Sequence, residues 1–229
     1  MYYNKKTYKW LYDHLHSKYY DLLMKQCYLP FGGEIKCRKI LLEHIEFHQH
    51  EIILDMCCGT GGTTFIIAEK ADTDSEIIGI DISTGQLNKA RKKNIYKNVL
   101  FTEGNVSHTK FTDNFFHKVF ISFALHEMKR EERLSVLSEA KRILLNNGKI
   151  IINEIDKPSS LTIRLFTWLW FYYWLPLNPE TPTRKGMLKY GITDEVEESG
   201  FKNILKFNYF KEIFQTVIAG KKHKEENHT

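Results

Sequence analysis

An α/β fold, a largely parallel sheet covered by helices on both faces, is predicted by three observations. Between residues 52 and 154 short aliphatic and β-branched runs alternate with helical stretches. The first run, Ile52-Ile53-Leu54-Asp55, leads through Met56-Cys57-Cys58 into the glycine turn Gly59-Thr60-Gly61-Gly62 and then into a helix. The second, Ile77-Ile78-Gly79-Ile80-Asp81, ends in an acid about 20 residues beyond that turn, so two strand ends share one crevice.

The elements follow in order. The first 50 residues read as helices outside the sheet, with Phe31-Gly32-Gly33 breaking one of them. Strands are expected at 52–55, 77–81, 98–102, 118–123 and 149–154, and helices at 62–70, 84–93 and 130–145. The last of these helices carries Leu134, Leu137, Ala140, Ile143 and Leu144 on one face. Right-handed crossovers make the strands parallel. After Pro158 the alternation stops, then resumes with a short helix at 194–199, Gly200 as its stop signal, and strands at 203–209 and 212–219 that read as an antiparallel hairpin. The domain reading is a helical cap over 1–50, one catalytic domain over 51–221 with an aromatic acceptor-side insertion at 159–190, and a flexible tail at 222–229.

Composition agrees with one globular unit. The chain has 229 residues, with 42% hydrophobic and 27% charged content, which excludes disorder and supplies a sizeable core. The four cysteines give no plausible disulfide framework, since Cys57 and Cys58 are neighbours and Cys27 and Cys37 lack obvious partners. A reducing, cytoplasmic compartment is expected. No apolar run of signal-peptide length follows Met1. The formal charge of +5 gathers partly at the ends, but no helix carries a basic stripe with aromatic stacking partners, which argues against nucleic acid.

Gly59 and Gly61 let backbone amides approach a ligand, and the helix starting near Gly62 aims unpaired N–H groups at the same place. Asp81 is spaced for a ribose hydroxyl. A dinucleotide dehydrogenase would want the same parts, so the turn alone leaves both readings open. Thr64 stands where the dinucleotide fingerprint has its third glycine, and Asp55 suits a ligand ammonium better than a pyrophosphate.

With these residues the chain resembles the class I S-adenosylmethionine-dependent methyltransferases, whose first motif is an acid before a glycine turn and whose second is the ribose acid. The Cys57-Cys58-Gly59-Thr60-Gly61 wording is similar to that of the ubiquinone/menaquinone biosynthesis C-methyltransferase subgroup. So is Arg142-Ile143-Leu144, Gly148 and the run Ile150 to Pro158, with Glu154, Lys157 and Pro158 at the subgroup's strand-five positions. The resemblance implies a Rossmann-like, seven-stranded, mostly parallel sheet with an antiparallel final strand. It implies S-adenosyl-L-methionine as cofactor. Asp55 and the Gly59–Gly61 backbone would face its methionyl part, Asp81 the ribose, Ile82 an adenine face, and Asn105, where the family usually has Asp, the adenine amino group. Cys57, Thr60, Val106 and Ser122 complete the expected cofactor set, with Cys57 and Cys58 as small packing residues rather than nucleophiles.

Strand four ends in Ser122-Phe123-Ala124-Leu125-His126, near the expected position of the transferable methyl. His126 is the candidate base and Glu154 the second catalytic candidate; capping or packing by His126 and loop anchoring by Glu154 are the alternatives. The segment from Leu161 to Pro176 is apolar almost all round and holds three of the four tryptophans. With about 16 residues, Arg164 inside and Pro176 at its end, it is too short to span a bilayer. Four readings stay open: the wall of a greasy acceptor pocket, peripheral membrane contact, a homodimer contact, or core packing. His44, His48 and His50 read as a solvated helix end, and no metal site is expected.

The expected activity is methyl transfer to a hydrophobic small molecule or lipid-like acceptor, with a quinone precursor leading. A small metabolite or phospholipid headgroup methylated at N, S or O, and a cofactor-binding protein without catalysis, are the alternatives.

Overall fold

The computed structural model describes residues 25–174 and 181–221. The N-terminal stretch 1–24, the stretch 175–180 that includes Pro176, and the tail 222–229 lie outside the described residues. In chain order the elements are a 3-10 turn at Leu29–Phe31, α1 (Glu34–Leu41), β1 (Ile52–Met56), α2 (Gly62–Lys70), β2 (Glu76–Asp81), α3 (Thr84–Lys93), β3 (Val99–Glu103) and β4 (Phe116–Ser122). A second 3-10 turn, Leu125–Glu127, precedes α4 (Arg130–Ile143), β5 (Leu144–Ile155), α5 (Leu161–Trp174), α6 (Thr181–Tyr190), α7 (Ile192–Glu198), β6 (Phe201–Tyr209) and β7 (Phe214–Lys221).

The seven strands form one sheet in the order β3-β2-β1-β4-β5-β7-β6. Strands β1 to β5 run parallel, and β7 runs antiparallel to both its neighbours, as the resemblance implied. The residues explain the order. Central strands need apolar side chains on both faces, and Ile53, Leu54, Val119, Phe120, Ile121, Ile150, Ile151 and Ile152 are all fully buried. At the edges Leu100 of β3 and Leu205 of β6 face solvent. One core, with Leu54, Ile121, Val136, Leu137 and Ile152, lies under α4, α6 and α7. The other, with Ile53, Ile67, Phe120 and Ile151, lies under α1 and α2. Burial on both faces is the main stabilisation, at about 25 cal/mol per Å² of apolar surface.

The chain order reverses between β1 and β4, and the crevice above their carboxyl ends is where ligands of such sheets sit. Two departures from the sequence reading have physical causes. Leu144 fits both the helical and the strand pattern, and it pairs with Phe116 as the first residue of β5; the register then shifts so that Lys149 faces Lys118. Helix α6 lies where no helix was expected. Its Pro182, which reads as a loop signal, is tolerated in a first helical turn, and Met187 is buried on the inner face.

Candidate active site

Asp55 is the penultimate residue of β1 and is buried among the strands beside it. Its Oδ2 accepts from Thr64 Oγ1 at 2.6 Å, so the residue that breaks the dinucleotide fingerprint has a use of its own. Its Oδ1 is buried without a protein partner. Burial pushes the carboxyl up to about 7, opposed by the Thr64 bond and the nearby Arg38 and reinforced by Asp81. A buried acid with an open oxygen fits the ammonium of an amino-acid ligand, which would supply the missing donor.

The turn itself is strained in the way close ligand approach requires. Gly59 and Gly61 have φ of +55° and +86°, and even Cys57 adopts +58°. A Cβ on Gly61 would lie 2.8 Å from Phe65 ring carbons, and one on Gly59 would lie 2.9 Å from Gln86 Oε1. Thr60 is buried within the same turn. The thiols of Cys57 and Cys58 are both pushed up by burial and then by Asp81, which makes them poor nucleophiles and fits the packing role.

Asp81 closes the crevice from β2. Its Oδ2 accepts from the Gly59 amide at 2.9 Å and its Oδ1 from the Ser83 amide at 2.8 Å, which fixes the carboxylate against the turn. A carboxylate held in this way can accept from a ligand hydroxyl. Ile82, half-buried, follows it. After β3, Val106 is buried, while Asn105 is exposed with its Oδ1 accepting from the Ser107 amide at 3.1 Å. Ser122, at the end of β4, accepts from Asn153 Nδ2 at 3.0 Å. These residues gather along the carboxyl ends of β1, β2, β3 and β4.

The catalytic candidates meet. His126 Nδ1 lies 2.8 Å from Glu154 Oε1, and Glu154 is fully buried. Glu154 also accepts from the His126 amide at 3.2 Å and from the Ile155 amide at 2.8 Å. Glu154 therefore anchors the turn and orients the imidazole together. In the tautomer whose Nδ1–H donates to the carboxylate, Nε2 is the basic nitrogen of the ring. The turn bearing His126 is braced from behind: Arg133, buried, donates to the Met128 carbonyl at 2.7 Å and to both Glu195 oxygens at 2.6 and 2.5 Å.

Arg38 of α1 is a site residue that the sequence reading did not single out. Its Nε donates to Glu34 at 2.9 Å and its Nη1 to Thr63 Oγ1 at 2.6 Å, with the guanidinium 5.5 Å from the Tyr28 ring and 5.4 Å from the Phe123 ring. It stands against Gly62, whose Cβ would come within 3.0 Å of its Nε, so a cation and a helix N-terminus adjoin. The i,i+4 spacing of Glu34 and Arg38 reads in sequence as an ordinary surface pair. Tyr28, Phe31, Phe123, Phe210 and Phe214 form an edge-to-face aromatic cluster next to it, with Phe31–Phe214 centroids 4.7 Å apart and Phe123–Phe214 5.4 Å apart.

Residues 53–148 match the methyltransferase domain family. The demethylmenaquinone methyltransferase of Lactobacillus johnsonii is 28% identical over 194 residues, covering 77% of this chain and 78% of the relative. That of Bacillus licheniformis is 32% identical over 150 residues, covering 65% of this chain and 64% of the relative. The chain is a class I S-adenosylmethionine-dependent methyltransferase. The methyltransferase shares its fold with a SAM-dependent methyltransferase of Aquifex aeolicus, at 17% identity and a TM-score of 0.67 over 90% of this chain and 98% of the other. It also shares it with phosphoethanolamine N-methyltransferase 2 of Haemonchus contortus, solved with S-adenosyl-L-methionine. Identity there is 16% and the TM-score 0.65, over 94% of this chain and 60% of that longer one.

Proposed function

We propose that the methyltransferase acts on a hydrophobic aromatic acceptor of the quinone-precursor class and methylates it at carbon. The observation that carries this reading is the His126–Glu154 pair, since a phenolic ring becomes a carbon nucleophile when its hydroxyl loses a proton. The likeness to demethylmenaquinone methyltransferases and the aromatic cluster of Tyr28, Phe123 and Phe214 support the acceptor class.

S-adenosylmethionine, when bound, supplies a methyl group made electrophilic by its sulfonium. The residues do the rest. Asp55 and Arg38 would hold the two ends of the amino-acid tail, Asp55 its ammonium and Arg38 with the start of α2 its carboxylate. Asp81 would hold the ribose, Ile82 and Asn105 the adenine, and Cys57, Thr60, Val106 and Ser122 would line the way between. His126 Nε2 accepts the phenolic proton while Glu154 stabilises the imidazolium. The phenolate carbon held beside His126 would be the atom that receives the methyl. Its own proton would then pass to water, restoring the aromatic ring, and the phenolate oxygen would take the first proton back from His126, so that one proton is released in all.

The test is turnover of a prenylated hydroquinone lacking the ring methyl. His126→Ala lowers kcat by about 10²–10⁴-fold with little change in cofactor affinity, as expected for loss of a positioned base. Full turnover in that variant overturns the base role.

A further inference from the structure

We infer that α5 is a docking surface for an anionic phospholipid bilayer. Leu161, Leu165, Phe166, Trp168 and Leu169 are exposed by 74, 57, 45, 60 and 50%, an apolar density that single scattered surface residues do not reach. Ile163, half-buried, packs against the core that also holds Phe123, Phe210 and Phe214, which roots α5 beside the carboxyl edge of the sheet. The open side is therefore turned away from the protein and lies next to the site.

Charge selects the occupant. Lys157 precedes the helix and Arg164 sits within the apolar set, both exposed, and α5 itself has no Asp or Glu. A basic residue ahead of the helix and another within its Leu, Phe and Trp set is the pattern of a helix lying at the headgroup boundary, with the chain's net charge of +5 adding attraction at longer range. A second copy is the weaker occupant, because it would bring Lys157 and Arg164 of both chains together on one face. Among the described residues no helix is long and apolar enough to cross a membrane, so the contact is one of resting on the surface.

The inference stands apart from the cofactor reading, although it deepens the acceptor reading: a lipid-like acceptor would reach His126 from the bilayer. The full chain is sedimented with vesicles of phosphatidylcholine alone and of phosphatidylcholine mixed with phosphatidylglycerol, beside Leu165→Asp, Trp168→Asp and Arg164→Glu. Both apolar positions are exposed, so the variants keep the fold, which an unchanged thermal shift by S-adenosylhomocysteine verifies. Binding to the anionic vesicles is expected, weaker by at least about tenfold in Leu165→Asp and Trp168→Asp and by several-fold in Arg164→Glu. The inference is overturned if the protein stays in the supernatant, binds both vesicles equally, is unaffected by Leu165→Asp, or forms a dimer without vesicles that Leu165→Asp dissolves. A preserved thermal shift alongside any of these leaves the methyltransferase reading intact.

Discussion

At the residue scale, the raised pKa of Asp55 ties its proposed cofactor role to protonation. Its pKa of about 7 in the folded protein lies above the ordinary carboxyl value, because burial penalises the charge. The fold thus favours the protonated form; the stability this contributes is complete below about pH 4 and is lost as pH rises through about 7. An ammonium-bearing ligand selects the ionised form. S-adenosylhomocysteine affinity is therefore expected to rise between about pH 6 and 8, and Asp55→Asn to flatten that rise while making the free protein more stable at pH 8. Calorimetric titration across this range checks both, and a pH-independent affinity of the unsubstituted protein contradicts the assignment. The positions of Asp55, Asp81, His126 and Glu154 were legible because each lies at or just after the carboxyl end of a strand in a recognisable order. Arg38 was not: its role depends on Thr63 and Phe123, which only folding brings to it.

At the element scale, the His126 turn depends on the tie between α4 and α7. Arg133 and Glu195 are each 1% exposed and joined by two hydrogen bonds, so removing Arg133 leaves the buried Glu195 carboxylate with Arg130 at 3.9 Å as its remaining ion-pair partner among the described residues. Arg133→Met is expected to lower unfolding stability by about 3–5 kcal/mol, and the double variant with Glu195→Leu to recover most of it. Urea unfolding measures both, and a small effect of the single variant would show that the pair is hydrated. Strand and helix positions in the sheet domain were readable from period and punctuation. Helix α6 was missed because Pro182 marks a loop locally, whereas burial of Met187 against the core decides for helix.

At the scale of the whole molecule, the sheet separates two cores. Val136 and Ile67 belong to different ones, with no buried residue in common. Val136→Ala and Ile67→Ala are each expected to destabilise by about 1–4 kcal/mol and to add within about 0.5 kcal/mol in the double variant. Equilibrium unfolding monitored by fluorescence and by circular dichroism gives these values, and strong non-additivity would mean that the sheet transmits repacking from face to face. Sequence by itself determined the strand-helix alternation, the glycine turn and its two acids, since hydrophobic period and backbone sterics act over a few residues. Only tertiary structure decided which distant side chains meet: Arg38 at the glycine turn, Glu154 under His126, and the outward face of α5. Those contacts depend on strand order and helix packing, which no local stretch of chain encodes.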